Sequence, residues 1–240
     1  MTEQINLKEI KDKLIEKLIP SGWANKLRGI LKSSDFDKIL ITLYKMREDG
    51  KRFTPPLKNV FNAFEKCPVK DLRVVIIGQD PYPYLNVADG LAFSCSITGR
   101  AQPSLKFIHH SITQTVYDND EKLQHNPDLT HWAEQGVLLL NSALTCEIDK
   151  VGSHTPIWKD FIAYVIDMLN FTDSGLVFIL LGKQAQELES LIGPNHYILK
   201  ASHPASAAHN GTNIWDCKDV WNETNRLIEG NNGTEFKIKW

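Results

Sequence analysis

The sequence predicts an α/β protein: a single domain around a central four-stranded parallel sheet, with helices on both faces and further helices at the N-terminus. Three observations predict it. Four apolar runs, Leu72–Ile77, Val137–Leu140, Leu176–Leu181 and Tyr197–Leu199, are each too short for a helix and are bounded by glycine or polar residues. Segments of helical spacing separate the runs, so strand and helix alternate along the chain, the order of a parallel sheet. The runs are also continuously apolar, as strands buried on both faces are.

Each element has its local signal. Before Lys51, Leu7, Ile10, Leu14 and Leu18, and then Phe36, Ile39, Leu40 and Leu43, recur at spacings of three and four, and Pro20-Ser21-Gly22 interrupts them. These are helices expected to pack on the main domain. The pattern changes after Pro55-Pro56, where the short runs begin, and helices are expected over Leu105–Val116, Phe161–Leu169, Ala185–Ile192 and Val220–Ile228. No internal repeat, low-complexity tract or Gly/Ser linker divides the chain. Residues 1–240 therefore read as one domain: a helical part over 1–53, an α/β core over 54–229 and a C-terminal tail over 230–240.

Composition excludes several classes. The 240 residues are 42% hydrophobic and 23% charged, which rules out a disordered or fibrous chain. No apolar run approaches the roughly 18 residues of a membrane span, and Met1 to Pro20 alternates Lys and Glu with Ile and Leu where a signal peptide would be continuously apolar. A cytoplasmic protein without a membrane partner is expected. Cys67, Cys95, Cys146 and Cys217 form no CxxC pair, so a zinc or iron–sulfur site is not indicated, and reduced, buried thiols are expected. A net charge of −2 leaves any nucleic-acid contact to a local patch.

Ligands of open parallel sheets bind beyond the carboxyl ends of the strands. After the first run comes Gly78-Gln79-Asp80-Pro81-Tyr82-Pro83, after the second Asn141-Ser142, after the third Gly182-Lys183-Gln184 and after the fourth Ala201-Ser202-His203-Pro204. Taken singly, each has a plain reading: Asp80-Pro81 is turn chemistry, Asn141 a strand-end cap, the serines local caps and Lys183 a solvated side chain. Their convergence on one rim is what independent caps would not produce.

The motifs along this rim resemble those of the family 1 uracil-DNA glycosylases. They run in order through Thr54-Pro55-Pro56, Val74–Tyr82 (VVIIGQDPY), Ala88–Ser94 (ADGLAFS), Pro103-Ser104-Leu105, Trp132–Thr145, Ser153-His154, Leu176–Gln186 and His203-Pro204. The resemblance implies hydrolysis of the N-glycosidic bond of a deoxyuridine flipped out of single- or double-stranded DNA. It implies that Asn141 reads the uracil edge, Phe93 stacks on the base, Tyr82 fills the space beside C5 and Gln79 contributes backbone. Asp80 would orient or deprotonate the attacking water and offset charge on the sugar, and His203 would hydrogen-bond uracil O2 as the base departs. Ser104, Ser202, Ser206 and Ala207 align with DNA contacts, and Lys183, at the third strand end, is a candidate positive contact. No metal or cofactor is implied. A monomer is expected, with an inhibitor protein or replication factor as candidate partners.

Two positions depart from the family pattern. Pro83 stands where the family has a histidine that supports the water site, which bears on rate. Ala207 stands where the family has the leucine that enters the DNA stack, so a preference for unpaired uracil is expected, with Ile214 or Trp215 as candidate substitutes for the wedge. The alternative reading is a catalytically weak, glycosylase-like DNA-binding module that recruits a replication partner.

Overall fold

The computed structural model describes residues 6–120, 122–172, 175–209 and 214–240. Three helices come first: α1 (Leu7–Lys17), α2 (Trp23–Leu31) and α3 (Ser34–Glu48). Asn6 and Ser33 cap α1 and α3 through side-chain oxygens that accept from the amides of Glu9 and Phe36. Then follow β1 (Phe53–Thr54), α4 (Asn62–Lys66), β2 (Val74–Gly78), α5 (Pro103–Thr115), α6 (Thr130–Ala133), β3 (Val137–Asn141), β4 (Cys146–Glu147), α7 (Thr155–Leu169), β5 (Val177–Leu181), α8 (Lys183–Gln186), β6 (Tyr197–Ala201), α9 (Ser206–His209) and α10 (Val220–Asn232).

The main sheet has the order β3-β2-β5-β6 and every pairing in it is parallel. All residues of β2, β3 and β5 are buried, so both faces of the sheet are covered, as continuously apolar strands require. The four expected strands are present, with ends moved by one or two residues. A second sheet, β1 paired antiparallel with β4, was not anticipated: at two residues per strand it carries no periodicity to read.

Two aromatic clusters consolidate the core. Phe36, Phe61, Phe64, Phe161 and Trp158 meet edge to face or tilted, joining α3, α4 and α7. Trp132, Trp221 and Trp240 form the other, joining α6, α10 and the chain end. Residues 230–240, expected as a tail, therefore pack. Ile238 and Trp240 are buried, and Gln135 pairs with the backbone of Lys239 in both directions, at 2.8 and 3.1 Å. The helix expected over Ala185–Ile192 is instead α8 followed by a tight turn over Glu189–Leu191. There the amides of Leu188 and Leu191 bond three residues back, to Ala185 and Leu188.

Gly136 sets the entry to β3. Its φ is +90°, and a Cβ there would lie 1.8 Å from the carbonyl oxygen of Asp71. Its own carbonyl accepts from the amides of Arg73 and Val74, aligning β3 with β2. Gly136→Ala is expected to cost at least ~1–3 kcal/mol, read as a lower urea midpoint at unchanged slope.

Candidate functional site

The parallel register places Gly78, the last residue of β2, opposite Asn141, the last residue of β3. Beyond these ends lies a cavity of about 370 Å³, whose lining includes Gln79, Asp80, Tyr82, Phe93, Ser104 and His203. Five distant segments thus meet there. Asn141 is only 7% exposed, and its carboxamide and the ring of Phe93 both approach Gly78 at the end of β2. A Cβ on Gly78 would lie 2.7 Å from Asn141 Oδ1 and 3.0 Å from Phe93 Cζ, so only glycine leaves the carboxamide and the ring side by side. Among the described residues no intramolecular hydrogen bond satisfies that carboxamide, which leaves a donor and an acceptor for a ligand.

Phe93 is held in an unusual backbone. Its φ is +65°, and its carbonyl accepts from the Tyr82 hydroxyl at 3.0 Å. Behind it, buried Asp89 organises the loop: Oδ1 accepts from the Leu91 amide at 3.0 Å, and Oδ2 from the Ser94 hydroxyl at 2.6 Å and the Ser96 amide at 2.8 Å. Gly90 at φ +98° passes so close to the backbone of Asn59 that a Cβ would overlap it. Asp89 escaped the sequence reading as a functional residue. It acts on the site only through the loop that carries Phe93, and its place inside ADGLAFS was the available signal.

Among the described residues, Asp80 is the one carboxylate and His203 the one imidazole in the lining. Asp80 Oδ2 accepts from the Gly152 amide at 2.6 Å and, more weakly, from the Gln79 side chain at 3.4 Å, while buried Oδ1 has no partner among the described residues. Burial pushes this carboxyl above the usual carboxylate range, and the bonds from Gly152 and Gln79 offset part of the rise. Gly152 stands at φ +79° in the loop between β4 and α7, another contribution the sequence did not reveal, because a backbone amide carries no residue-type signal. The carbonyl of Gln79 accepts from the Ser142 hydroxyl at 2.7 Å and the Ala143 amide at 3.3 Å, tying the exits of β2 and β3 together.

His203 follows β6, and burial lowers its pKa, favouring the neutral ring. Its Nδ1 accepts from the Ala205 amide at 3.3 Å, so in the neutral form the proton resides on Nε2. The site therefore holds an acceptor-rich carboxylate and a neutral donor imidazole, arranged to handle opposite charges.

The expected DNA contacts divide. Ser104, at the start of α5, lines the cavity, whereas Ser202 and Ser206 lie near it with their hydroxyls 3.3 Å apart. Lys183 is exposed at the start of α8 and makes no ion pair among the described residues. Ala207 lies in α9 at 2% exposure with its methyl packed inward, so a leucine there would overpack the core before it formed a wedge. Trp215 is corrected. It is buried, with Nε1 donating to the Ser202 carbonyl and hydroxyl at 3.0 and 3.1 Å. Ile214 remains exposed. The four cysteines are free and buried, as expected.

Two substitutions test this geometry. Gly78→Ala should remove ligand capture while the fold persists, checked by circular dichroism together with binding of free uracil. Asp80→Asn should raise the melting temperature near pH 7. A carboxyl whose folded pKa lies above its unfolded value costs stability as pH rises through that interval and beyond it, and the amide removes the cost. A lower melting temperature would mean that the charge stabilises the fold.

The family model described as the uracil DNA glycosylase superfamily matches residues 64–225. The uracil-DNA glycosylase of Acinetobacter baumannii is 38% identical over 221 residues, 91% of this chain and 92% of the relative. The mimivirus uracil-DNA glycosylase superposes with a TM-score of 0.78 at 24% identity, covering 91% of this chain and 86% of that one. A mimivirus UNG variant in complex with UGI does so with a TM-score of 0.81 at 24% identity, covering 98% and 91%. With a family model spanning most of its length and a relative of this identity across nine-tenths of both sequences, the chain belongs to the uracil-DNA glycosylase superfamily.

Proposed function

We propose that the chain is a family 1 enzyme of this superfamily that excises uracil from DNA and leaves an abasic site. The observation that carries the reading is the convergence of Asp80, Phe93 and His203 around one cavity at the carboxyl edge of the sheet, with Asn141 at the end of β3 beside Phe93. The target nucleotide leaves the stack, at a cost of about a few kcal/mol, and enters that cavity. Phe93 then replaces the lost stacking, and Asn141 pairs with the uracil edge, mismatching the reversed donor and acceptor pattern of cytosine. The Tyr82 ring occupies the space beside C5 and excludes the methyl of thymine.

Bond cleavage separates charge. The C1′–N1 bond breaks with its electron pair leaving on uracil, the sugar becomes cationic, and water adds its oxygen to C1′ as its proton passes to the Asp80 carboxylate. His203 Nε2–H donates to uracil O2, a bond that strengthens as negative charge gathers there. A neutral imidazole suits this task because it keeps its proton while remaining the donor. Pro83 supplies no side-chain donor toward the water, which leaves Asp80 as the acidic residue handling it. Ser104, Ser202, Ser206 and Lys183 bind phosphates, a modest electrostatic footprint. The enzyme acts as a cytoplasmic monomer without metal or cofactor, with an inhibitor protein or a replication factor as candidate partner; a mimivirus relative is solved in complex with UGI.

The test is release of uracil from single-stranded and duplex oligonucleotides bearing one deoxyuridine, with thymine and cytosine controls. Uracil alone should be released, faster from the single strand, and Asp80→Asn should lower the rate by at least ~100-fold. The pH profile of kcat/KM should show one acid limb, lying above the usual carboxylate range because ionised Asp80 is required and burial raises its pKa. That limb should vanish in Asp80→Asn. DNA binding without any release would replace this reading with the DNA-binding module.

A further inference from the structure

The cavity mouth carries an apolar rim that the excision chemistry leaves unused. Tyr84 and Val151 line the same cavity as Asp80 and His203 yet are 51% and 60% exposed, and Leu85 beside Tyr84 is exposed as well. They lie on two loops tied to each other at two points. The Asp149 amide donates to the Pro83 carbonyl at 2.9 Å, and the Gly152 amide donates to Asp80 Oδ2 at 2.6 Å. Pro83 restricts the backbone immediately before Tyr84, and Asn86 turns the chain at φ +58°. The aromatic ring is therefore presented to solvent from a fastened loop, and its surface is continuous with the pocket for the extruded base.

An exposed aromatic at the edge of a nucleotide pocket has a natural occupant in a second nucleobase, whose flat face matches it without regard to sequence. The position expected to supply an apolar plug, Ala207, is turned into the core. We propose that Tyr84, backed by Val151, is a stacking platform for the base next to the extruded uracil, and that it takes over the holding of the flanking strand. This rests on the glycosylase reading above. Tyr84 is a positioning residue: it acts on capture of the strand and touches no reacting atom.

The experiment compares the native chain with Tyr84→Ala and Tyr84→Phe on single-stranded oligonucleotides containing one deoxyuridine, flanked either by normal nucleotides or by abasic residues on one side or the other. Tyr84→Ala should raise KM roughly 10-fold on the normal substrate with kcat nearly unchanged, and Tyr84→Phe should retain native values. An abasic neighbour on the stacking side should impose the same loss on the native chain and no further loss on Tyr84→Ala. An equal effect of Tyr84→Ala on both substrate types, a fall in kcat alone, or no effect would overturn the platform while leaving the glycosylase intact. Absence of uracil release by the native chain from every substrate would instead overturn the glycosylase reading, and the platform with it.

Discussion

The parallel pairing of β2 with β3 is the constraint on which the site depends. It ends both strands on one edge and sets Gly78 against Asn141, so a carboxamide and an aromatic ring share the small space a missing side chain leaves. Parallel strands require crossovers, and each crossover returns the chain beneath the sheet before it emerges at the same edge. Asp80, Asn141 and His203 are therefore neighbours because of topology, though 61 and 62 residues separate them in succession.

Around that edge polar contacts orient loops whose apolar residues Val87, Leu91, Ala92 and Phe93 are packed into the core. Asp89 gathers three donors and so forces the turn that aims Phe93, while the Tyr82 hydroxyl holds the same loop from the cavity side. Gly152 fixes the Asp80 carboxylate with a charge-assisted bond from a backbone amide. Such contacts are directional, and direction is what a site needs when groups must stay within a fraction of an ångström of their working positions.

Burial serves opposite ends at the two titratable residues. It raises Asp80, which costs stability when the group is ionised and strengthens its attraction for charge forming nearby. It lowers His203, which keeps that ring neutral with its proton on the nitrogen opposite the Ala205 amide. Desolvation by burial is the leading cause of both shifts.

The sequence by itself determined the strands, their parallel order and the residues at their carboxyl ends, because continuous apolar runs and punctuating motifs are local signals. VVIIGQDPY showed both β2 and the residues at its exit that line the cavity, and HP after β6 showed the histidine. Only the tertiary structure decided what depends on contacts between distant segments. Ala207 reads as a surface residue by alignment and is buried by the packing of α9. Trp215 reads as a spare apolar side chain and is consumed by Ser202. Residues 230–240 read as a C-terminal tail and are anchored by Trp240 against Trp221 and Trp132. The amide of Gly152 and the network of Asp89 were equally invisible, since a backbone donor has no residue type and a buried carboxylate is recognised only by the donors that surround it.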